Sequence, residues 1–190
     1  PAVTHGLDLG AVLRRDGHQV RLVMGTSVRA VTDEVRRHDP QLIGMSATTG
    51  FHGWYLELAQ ALAGAAPHAT TVLGGPHATF FPETVERPGV DVICRGEGEG
   101  AMADLAAAVD AGDDIRGIDN LWVASPSGAI TRNPVRPLIR DLDALPFPDW
   151  SLVYGPYPEL RKRRMFAITA RGCPYRCTYC FNHAMQALYD

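Results

Sequence analysis

Three cysteines near the end of the chain are the residues whose type and spacing could do chemistry. Cys173, Cys177 and Cys180 are spaced C-x3-C-x2-C within the run from Ala170 to Asn182. Thiolates this close together can all reach one metal centre, because a short loop can fold back around it. Three thiolates suit a four-iron cluster with one iron left open to a small-molecule ligand, whereas a four-thiolate cluster only passes electrons.

A zinc site is the alternative that these residues leave open. With His183 the segment reads C-x3-C-x2-C-x2-H, and three cysteines with one histidine can hold zinc as a tetrahedron. A disulfide framework is disfavoured, because the chain has only one other cysteine, Cys94 far upstream, and shows no secretory segment. Arg171 and Arg176 flank the thiols and would make their surroundings less negative.

The cysteine spacing and its neighbours resemble the radical S-adenosylmethionine (SAM) superfamily, whose signature is C-x3-C-x-aromatic-C. The aromatic here is Tyr179, and the apolar run 165–169 resembles the first strand of that family's barrel. The resemblance implies that Cys173, Cys177 and Cys180 hold a [4Fe-4S] cluster whose open iron binds SAM. It also implies that Tyr179 packs beside the cofactor. In the family, an electron from the cluster cleaves SAM to a 5′-deoxyadenosyl radical.

Length and composition are those of a globular protein. The chain has 190 residues, room for one domain and part of another. With 46% hydrophobic residues and a net charge of −3, it is not expected to bind nucleic acid electrostatically. No apolar run approaches the roughly 20 residues that span a bilayer, and no signal peptide is seen, so the reducing cytoplasm is expected. The chain opens on Pro1 and breaks off at Asp190, so we expect a fragment that is inactive by itself.

Predicted helices and short apolar strands alternate from residue 5 to about residue 112. Helices are predicted around 7–13, 28–38, 54–64, 78–86 and 101–111, and strands at 19–24, 41–46, 69–73 and 90–94. Strands this short and apolar between helices indicate a parallel sheet covered on both faces. Right-handed crossovers then predict a flavodoxin-like, doubly wound α/β fold, whose first strand is expected to be missing because the chain opens on a helix.

Three loops rich in small residues follow predicted strands, at 46–50, 74–77 and 96–100. In doubly wound sheets, ligands bind beyond the carboxyl ends of the strands. Small residues there let a large flat ligand approach the backbone closely, although glycines can equally serve only to make tight turns. Residue chemistry alone leaves these two interpretations even.

The runs 72–78 and 91–99 resemble the cobalamin-binding domain that is fused before a radical SAM barrel, and the resemblance covers residues 5–182. It implies cofactor contacts on all three loops, from the residues Ser46, Thr48, Thr49, Gly74, Gly75, Glu97 and Glu99. The first three would contact the corrin or its nucleotide tail, and the glycines would let that tail pass. The glutamates would contact ligand amides or the barrel, although acidic residues near a helix N-terminus are favoured by the helix dipole anyway.

The chain departs from the methionine-synthase kind of cobalamin domain, which carries a D-x-H-x-x-G motif. The ligand histidine would fall near Ala2, and His5 lacks the surrounding motif. Cobalt without a histidine ligand is therefore expected, although a domain that no longer binds cobalamin fits equally. His77 could approach a ligand, but a loop histidine satisfied by the protein is the favoured interpretation.

The remaining sequence predicts three units. They are a cobalamin-binding-like domain at 1–132 that ends in a separate hairpin over 119–131, a stiff proline-rich linker at 133–164, and the start of a radical SAM barrel at 165–190. In the linker, Leu145, Phe147 and Trp150 are expected to pack against one of the two domains.

The combined resemblance implies a cobalamin-dependent radical SAM enzyme acting on a small-molecule or natural-product substrate. After hydrogen abstraction, it would methylate an unactivated carbon or form a ring, as anaerobic magnesium-protoporphyrin monomethyl ester cyclases do. Its partner would be an electron donor, flavodoxin or ferredoxin. Two alternatives remain: a cobalamin-binding or sensing module with a structural zinc tail, and a radical SAM enzyme that has lost cobalamin.

Overall fold

A computed structural model describes residues 3–162 and 170–189. The α-helices are α1 Val3–Arg15, α2 Val28–His38, α3 His52–Ala65, α4 Gly75–Phe80, α5 Glu99–Ala111, α6 Ser151–Tyr154 and α7 Asn182–Ala187. The strands are β1 Leu42–Ser46, β2 Thr70–Gly74, β3 Val92–Cys94, β4 Leu121–Ala124 and β5 Ile130–Arg132. Short 3-10 turns cover Pro82–Glu86, Ile115–Gly117, Leu142–Ala144 and Pro158–Lys162.

The predicted α/β fold is confirmed, with a sheet of strand order β1-β2-β3-β4-β5. Strands β1, β2 and β3 are parallel, and β4 and β5 continue the sheet antiparallel. Both faces of the sheet are covered by helices. Neighbouring side chains along each strand point to opposite faces. Val72 and Val92 pack beneath α5 on one face, and their neighbours Leu73 and Ile93 pack beneath α3 and α4 on the other.

The prediction of a strand at 19–24 is wrong, because this segment has no regular secondary structure and belongs to no sheet. Val20, Leu22 and Met24 pack instead against the cluster that contains Leu7, and the N–H of Met24 donates to the Tyr157 hydroxyl at 3.2 Å. In a doubly wound sheet of order 2-1-3-4-5, this segment would be strand 2, which lies at the edge of the sheet beside strand 1. No residue within 3–162 or 170–189 forms that first strand, so the segment has no strand to pair with.

The hairpin is not a separate unit. Strand β4 pairs with β3, with Cys94 opposite Leu121, so the hairpin extends the main sheet. Its turn is closed by the Ser125 N–H, which donates to the Ala129 carbonyl at 2.8 Å, and Gly128 takes a φ of +84°. The turn residues were therefore predicted correctly, and the placement of the hairpin was not.

The proline-rich segment returns to the first domain. Leu152 and Val153 of α6 are each only 3% exposed and pack against Leu7 of α1. Arg14 of α1 also pairs with Asp149 at 2.6 Å. Phe147 does not pack against the first domain, because this ring is 94% exposed, so its packing against the predicted barrel stays a prediction.

The predicted barrel strand and a membrane-spanning helix are two features that the described residues do not contain. The predicted barrel strand at 165–169 lies outside the described residues. Among the helices that the structure describes, none combines the length and apolar character needed to cross a bilayer.

Candidate functional site

The carboxyl ends of β1, β2 and β3 lie at one edge of the sheet, since these strands are parallel. Ser46 at the end of β1 is in register with Gly74 at the end of β2. The N–H of Ala47 donates to the Gly74 carbonyl at 2.9 Å, and the N–H of His77 donates to the Ala47 carbonyl at 3.0 Å. The first two loops predicted to bind a ligand are thus joined directly to each other.

Gly75 allows this close approach of the two loops. Its φ is +86°, a region that favours glycine, and a Cβ there would lie 2.6 Å from Ser46 Oγ and 2.9 Å from the Ala47 carbonyl oxygen. Gly74 is extended, and a Cβ there would meet Cys94 and Met45 only at ordinary contact distances. The geometry of Gly75 therefore accounts for a tight turn between protein segments, and the contact of either glycine with a cofactor stays a prediction.

A cleft of about 550 Å³ opens beside these loops, within the size range of small-molecule sites. The rings of Phe80 and Phe181 meet across it edge to face, with centroids 5.9 Å apart. The cleft is lined on the strand-end side by Thr48, Thr49, Pro76, Phe80 and Phe81, and on the cysteine side by Phe181 and Ala184. Exposed hydroxyls beside apolar rings fit part of a large flat cofactor, while Ser46, Gly74 and Gly75 lie outside this lining.

His77 is buried and its ring nitrogens are both used by the protein. Thr84 Oγ1 donates to the Phe81 carbonyl at 2.6 Å, so it accepts from His77 Nε2 at 3.4 Å. His77 Nδ1 then accepts from the Thr49 hydroxyl at 3.2 Å. The ring of His77 also stacks on His52 at 4.0 Å. These contacts agree with the interpretation of His77 as a satisfied loop histidine.

Replacing His77 with glutamine should reduce the acid sensitivity of folding. Burial, aided by His52 and opposed by Glu83, lowers the pKa of His77, so the unfolded chain takes up this proton at a higher pH than the folded chain. The lowered pKa of His77 therefore has no effect on stability well above about pH 6.5, and it destabilises the folded chain as the pH falls below that value. In urea unfolding, the free energy of unfolding should fall less between about pH 7.5 and pH 5.5 for His77→Gln than for the unchanged chain.

The matched control is Gln60→Asn, which changes an exposed side chain that does not titrate. This control should leave the difference in the free energy of unfolding between the two pH values unchanged. An equal loss in the unchanged chain and in His77→Gln would contradict the prediction.

The cysteine segment carries free thiols that are not gathered around a centre. Cys173 and Cys180 are half-buried, and Cys177 is exposed. The N–H of Cys180 donates to the Cys177 carbonyl at 3.0 Å, which closes a turn between them. Within residues 3–162 and 170–189, no three metal-binding side chains lie close enough together to hold an ion. Three thiols within eight positions fit a cluster by donor type, so their role as metal ligands stays a prediction.

Two further residues of the predicted sites are exposed next to these thiols. Tyr179 is 91% exposed, and its packing beside a cofactor stays a prediction. His183 is also exposed on α7.

Glu97, predicted to contact a ligand or the barrel, has both carboxylate oxygens engaged. Its Oε1 accepts from Arg171 at 2.8 Å, and its Oε2 accepts from the N–H of Ile139 at 2.7 Å. Glu99, at the start of α5, accepts from the same guanidinium at 2.5 Å and is 6% exposed. The loop after β3 is thereby joined both to the proline-rich segment and to the cysteine segment.

Asn120 also belongs to this arrangement, and the sequence analysis missed it. Its side chain is 1% exposed, donates to the Glu97 carbonyl and accepts from the N–H of Arg136, both at 2.6 Å. It adopts a φ of +74°, a region that asparagine enters more readily than most residues. The Asp119-Asn120 pair before a strand was the only sequence signal for such a turn.

Comparisons with known proteins place the chain in a family. The sequence pattern of the B12 binding domain matches residues 8–106. The structure also resembles the cobalamin-dependent SAM radical enzyme OxsB with aqua-cobalamin and SAM bound, with a TM-score of 0.77 at 22% identity. That match covers 93% of this chain and 25% of OxsB, and at this identity it concerns the fold.

Two curated relatives are similar in sequence. The uncharacterized methyltransferase PH0819 of Pyrococcus horikoshii is 30% identical over 92% of this chain and 39% of its own length. The anaerobic magnesium-protoporphyrin IX monomethyl ester cyclase of Rubrivivax gelatinosus is 34% identical over 79% of this chain and 28% of its own length. The chain thus spans less than half of either relative.

Proposed function

The chain belongs to the B12-binding domain family, and we propose that it forms the cobalamin-binding part, with the first cysteine segment, of a cobalamin-dependent radical SAM enzyme. The cleft between the strand-end loops and the cysteine segment is the observation that carries this proposal. Thr48 and Thr49 line one side of it, and Phe181, the residue after Cys180, lines the other. Cofactors held on the two sides would therefore face a common space.

The chain's own residues would have separate tasks. Cys173, Cys177 and Cys180 would be the thiolate ligands of a [4Fe-4S] cluster that leaves one iron open for SAM. Thr48 and Thr49 would contact the corrin or its tail. When bound, the cluster would supply the electron for reductive cleavage of SAM, and cobalamin would supply a methyl group or redox chemistry. The apolar rings of the cleft would keep water from the reacting groups.

The relatives favour two outcomes after hydrogen abstraction from an unactivated C–H bond. One relative is named a methyltransferase and another a cyclase, so methyl transfer and oxidative ring formation are both proposed here. The substrate would be a small molecule or natural product. A flavodoxin or ferredoxin would donate the electron, in a reducing cytoplasm that preserves the cluster.

Filling the cleft should weaken cobalamin binding. Thr48→Trp places a large side chain on an exposed position of the cleft, where it should fold normally but exclude a flat ligand. We expect the dissociation constant of hydroxocobalamin to rise by about tenfold or more, equivalent to about 1.4 kcal/mol. Absorption titration of the full 190-residue chain measures this.

Gln41→Ala is the control for that titration, because Gln41 is exposed just before β1, at the opposite edge of the sheet. It should bind as the unchanged chain does. No binding by the unchanged chain would contradict the proposed function and favour a domain that has lost cobalamin. Equal binding by Thr48→Trp would contradict the assignment of the cleft.

A further inference from the structure

The cysteine segment is held to the sheet by one arginine between a buried and a partly buried carboxylate, Glu99 and Glu97. Arg171 precedes Cys173 by two residues, and its side chain is 30% exposed. It donates to Glu97 at 2.8 Å and to Glu99 at 2.5 Å, whose side chains are 14% and 8% exposed. Charge-assisted bonds between such shielded groups are stronger than exposed surface pairs. We call Glu97, Glu99 and Arg171 the carboxylate clamp.

A second contact joins the same two segments. The hydroxyl of Tyr189, beyond α7, accepts the N–H of Glu97 at 2.8 Å. Gly96 makes room for it, because a Cβ at this position of φ +70° would lie 2.2 Å from the Tyr189 hydroxyl. Burial raises the pKa of Tyr189, so the phenol stays protonated at neutral pH. The cysteine segment is thus attached on both sides of its thiols.

The attachment reaches the thiols through the backbone. The side-chain amide of Gln186 on α7 donates to the Cys173 carbonyl at 2.8 Å. Cys173 therefore lies between Arg171, which is bonded to the loop after β3, and α7, which is followed by Tyr189. Moving either attachment would move the first of the three thiols relative to the carboxyl edge of the sheet.

The clamp gives Arg171 a different role from the one expected from its place beside the thiols in the sequence. Beside thiolates, an arginine would make the surroundings less negative, but here one guanidinium meets two carboxylates. Burial lowers the pKa of Arg171, and its bonds to Glu99 and Glu97 more than offset this, so the group stays charged. Its charge is already offset by the glutamates, which leaves positioning as the task that the geometry supports.

We propose that Arg171 is a positioning residue that docks the cysteine segment onto the loop after β3, and so sets where the thiols lie before any metal binds. The inference rests on the proposed function for the meaning of these thiols as cluster ligands. The contact itself is a property of the protein and can be tested without metal.

Hydrogen exchange of the metal-free, reduced 190-residue chain tests the contact. Arg171→Gln removes both charge-assisted hydrogen bonds of the clamp and should speed amide exchange in peptides from 170–189 and 95–99 by about tenfold or more, since the loss of one such bond already corresponds to about this factor. Exchange in β1 and β2 should not change. Glu99→Gln, which keeps the size of the side chain, should produce a similar local effect even if Arg171→Gln folds poorly.

Two variants make the test specific. Arg176→Gln removes an exposed arginine between Cys173 and Cys177 and should leave exchange unchanged. Arg171→Lys retains the charge with fewer donors and should fall between the unchanged chain and Arg171→Gln. In addition, Arg171→Gln with Glu99→Gln should exchange no faster than Arg171→Gln alone, because both remove the same contact.

The inference is overturned if Arg171→Gln leaves exchange in 170–189 unchanged, or if exchange rises equally across the whole sheet. It is also overturned if Arg176→Gln has the same effect. Failure of the proposed function would show separately, as absence of cobalamin or iron binding by the unchanged protein.

Discussion

Cys177→Ala should abolish assembly of the iron–sulfur cluster in the protein that carries this chain. After anaerobic reconstitution with iron and sulfide, we expect about four irons per unchanged chain and the loss of most of them in the variant. The physical reason is that three thiolates are the fewest that hold a four-iron cluster with one open iron. The signal perturbed by SAM in the unchanged protein should disappear as well, since that iron is where SAM is proposed to bind.

Cys94→Ala is the matched control for this experiment. Cys94 is 4% exposed at the end of β3, and burial raises its pKa to about 12, so it remains a thiol rather than a metal-binding thiolate. It should keep the full iron content. Stoichiometric zinc without iron in the unchanged protein would contradict the radical SAM proposal and favour a Cys3His zinc site that includes His183.

Gly75→Ala should strongly destabilise the chain and weaken its binding of cobalamin. The backbone at residue 75 has a φ of +86°, and the added Cβ would meet Ser46 Oγ at 2.6 Å and the Ala47 carbonyl oxygen at 2.9 Å. The hydroxyl of Ser46 can rotate away, but the backbone of Ala47 cannot move without shifting the loop. Strain and overpacking together should lower the free energy of unfolding by about 3 kcal/mol.

Gly128→Ala separates the two causes. Gly128 has nearly the same φ, +84°, but a Cβ there would meet nothing within 4 Å. Gly128→Ala should therefore lower the free energy of unfolding by only about 1–2 kcal/mol, from backbone strain, and should leave cobalamin binding unchanged. Urea unfolding followed by circular dichroism measures both variants. Equal losses would show that the contact with Ser46 and Ala47 does not matter.

Local patterns were sufficient to predict most elements of the first domain. Ser27 caps α2 by accepting from the N–H of Ala30 at 3.3 Å, as its residue type indicates. Helix α4 starts earlier than predicted, at Gly75, because Pro76 suits the first turn of a helix. These outcomes depend on neighbouring residues, which a sequence shows directly.

Long-range pairing accounts for the predictions that failed. The segment 19–24 has the residues of a strand but no strand beside it among the described residues. The hairpin had no sequence signal for its partner, and pairing with β3 is a choice between distant segments. In the proline-rich segment, Phe147 is exposed while Leu152 and Val153 are buried, although all three are apolar. Apolar character indicates what can be buried but does not tell which neighbour covers it.

The sequence by itself determined the alternation of helices and parallel strands, the strand-end loops, and the spacing of Cys173, Cys177 and Cys180. These follow from hydrophobic period and residue type, which are local properties. Only the tertiary structure decided that Arg171 lies between Glu97 and Glu99, more than 70 residues away along the chain. Each of these charged side chains could have been solvated separately. Folding brings them together because the loop after β3 and the cysteine segment meet at one edge of the sheet, where the burial of Glu99 favours pairing its charge with Arg171.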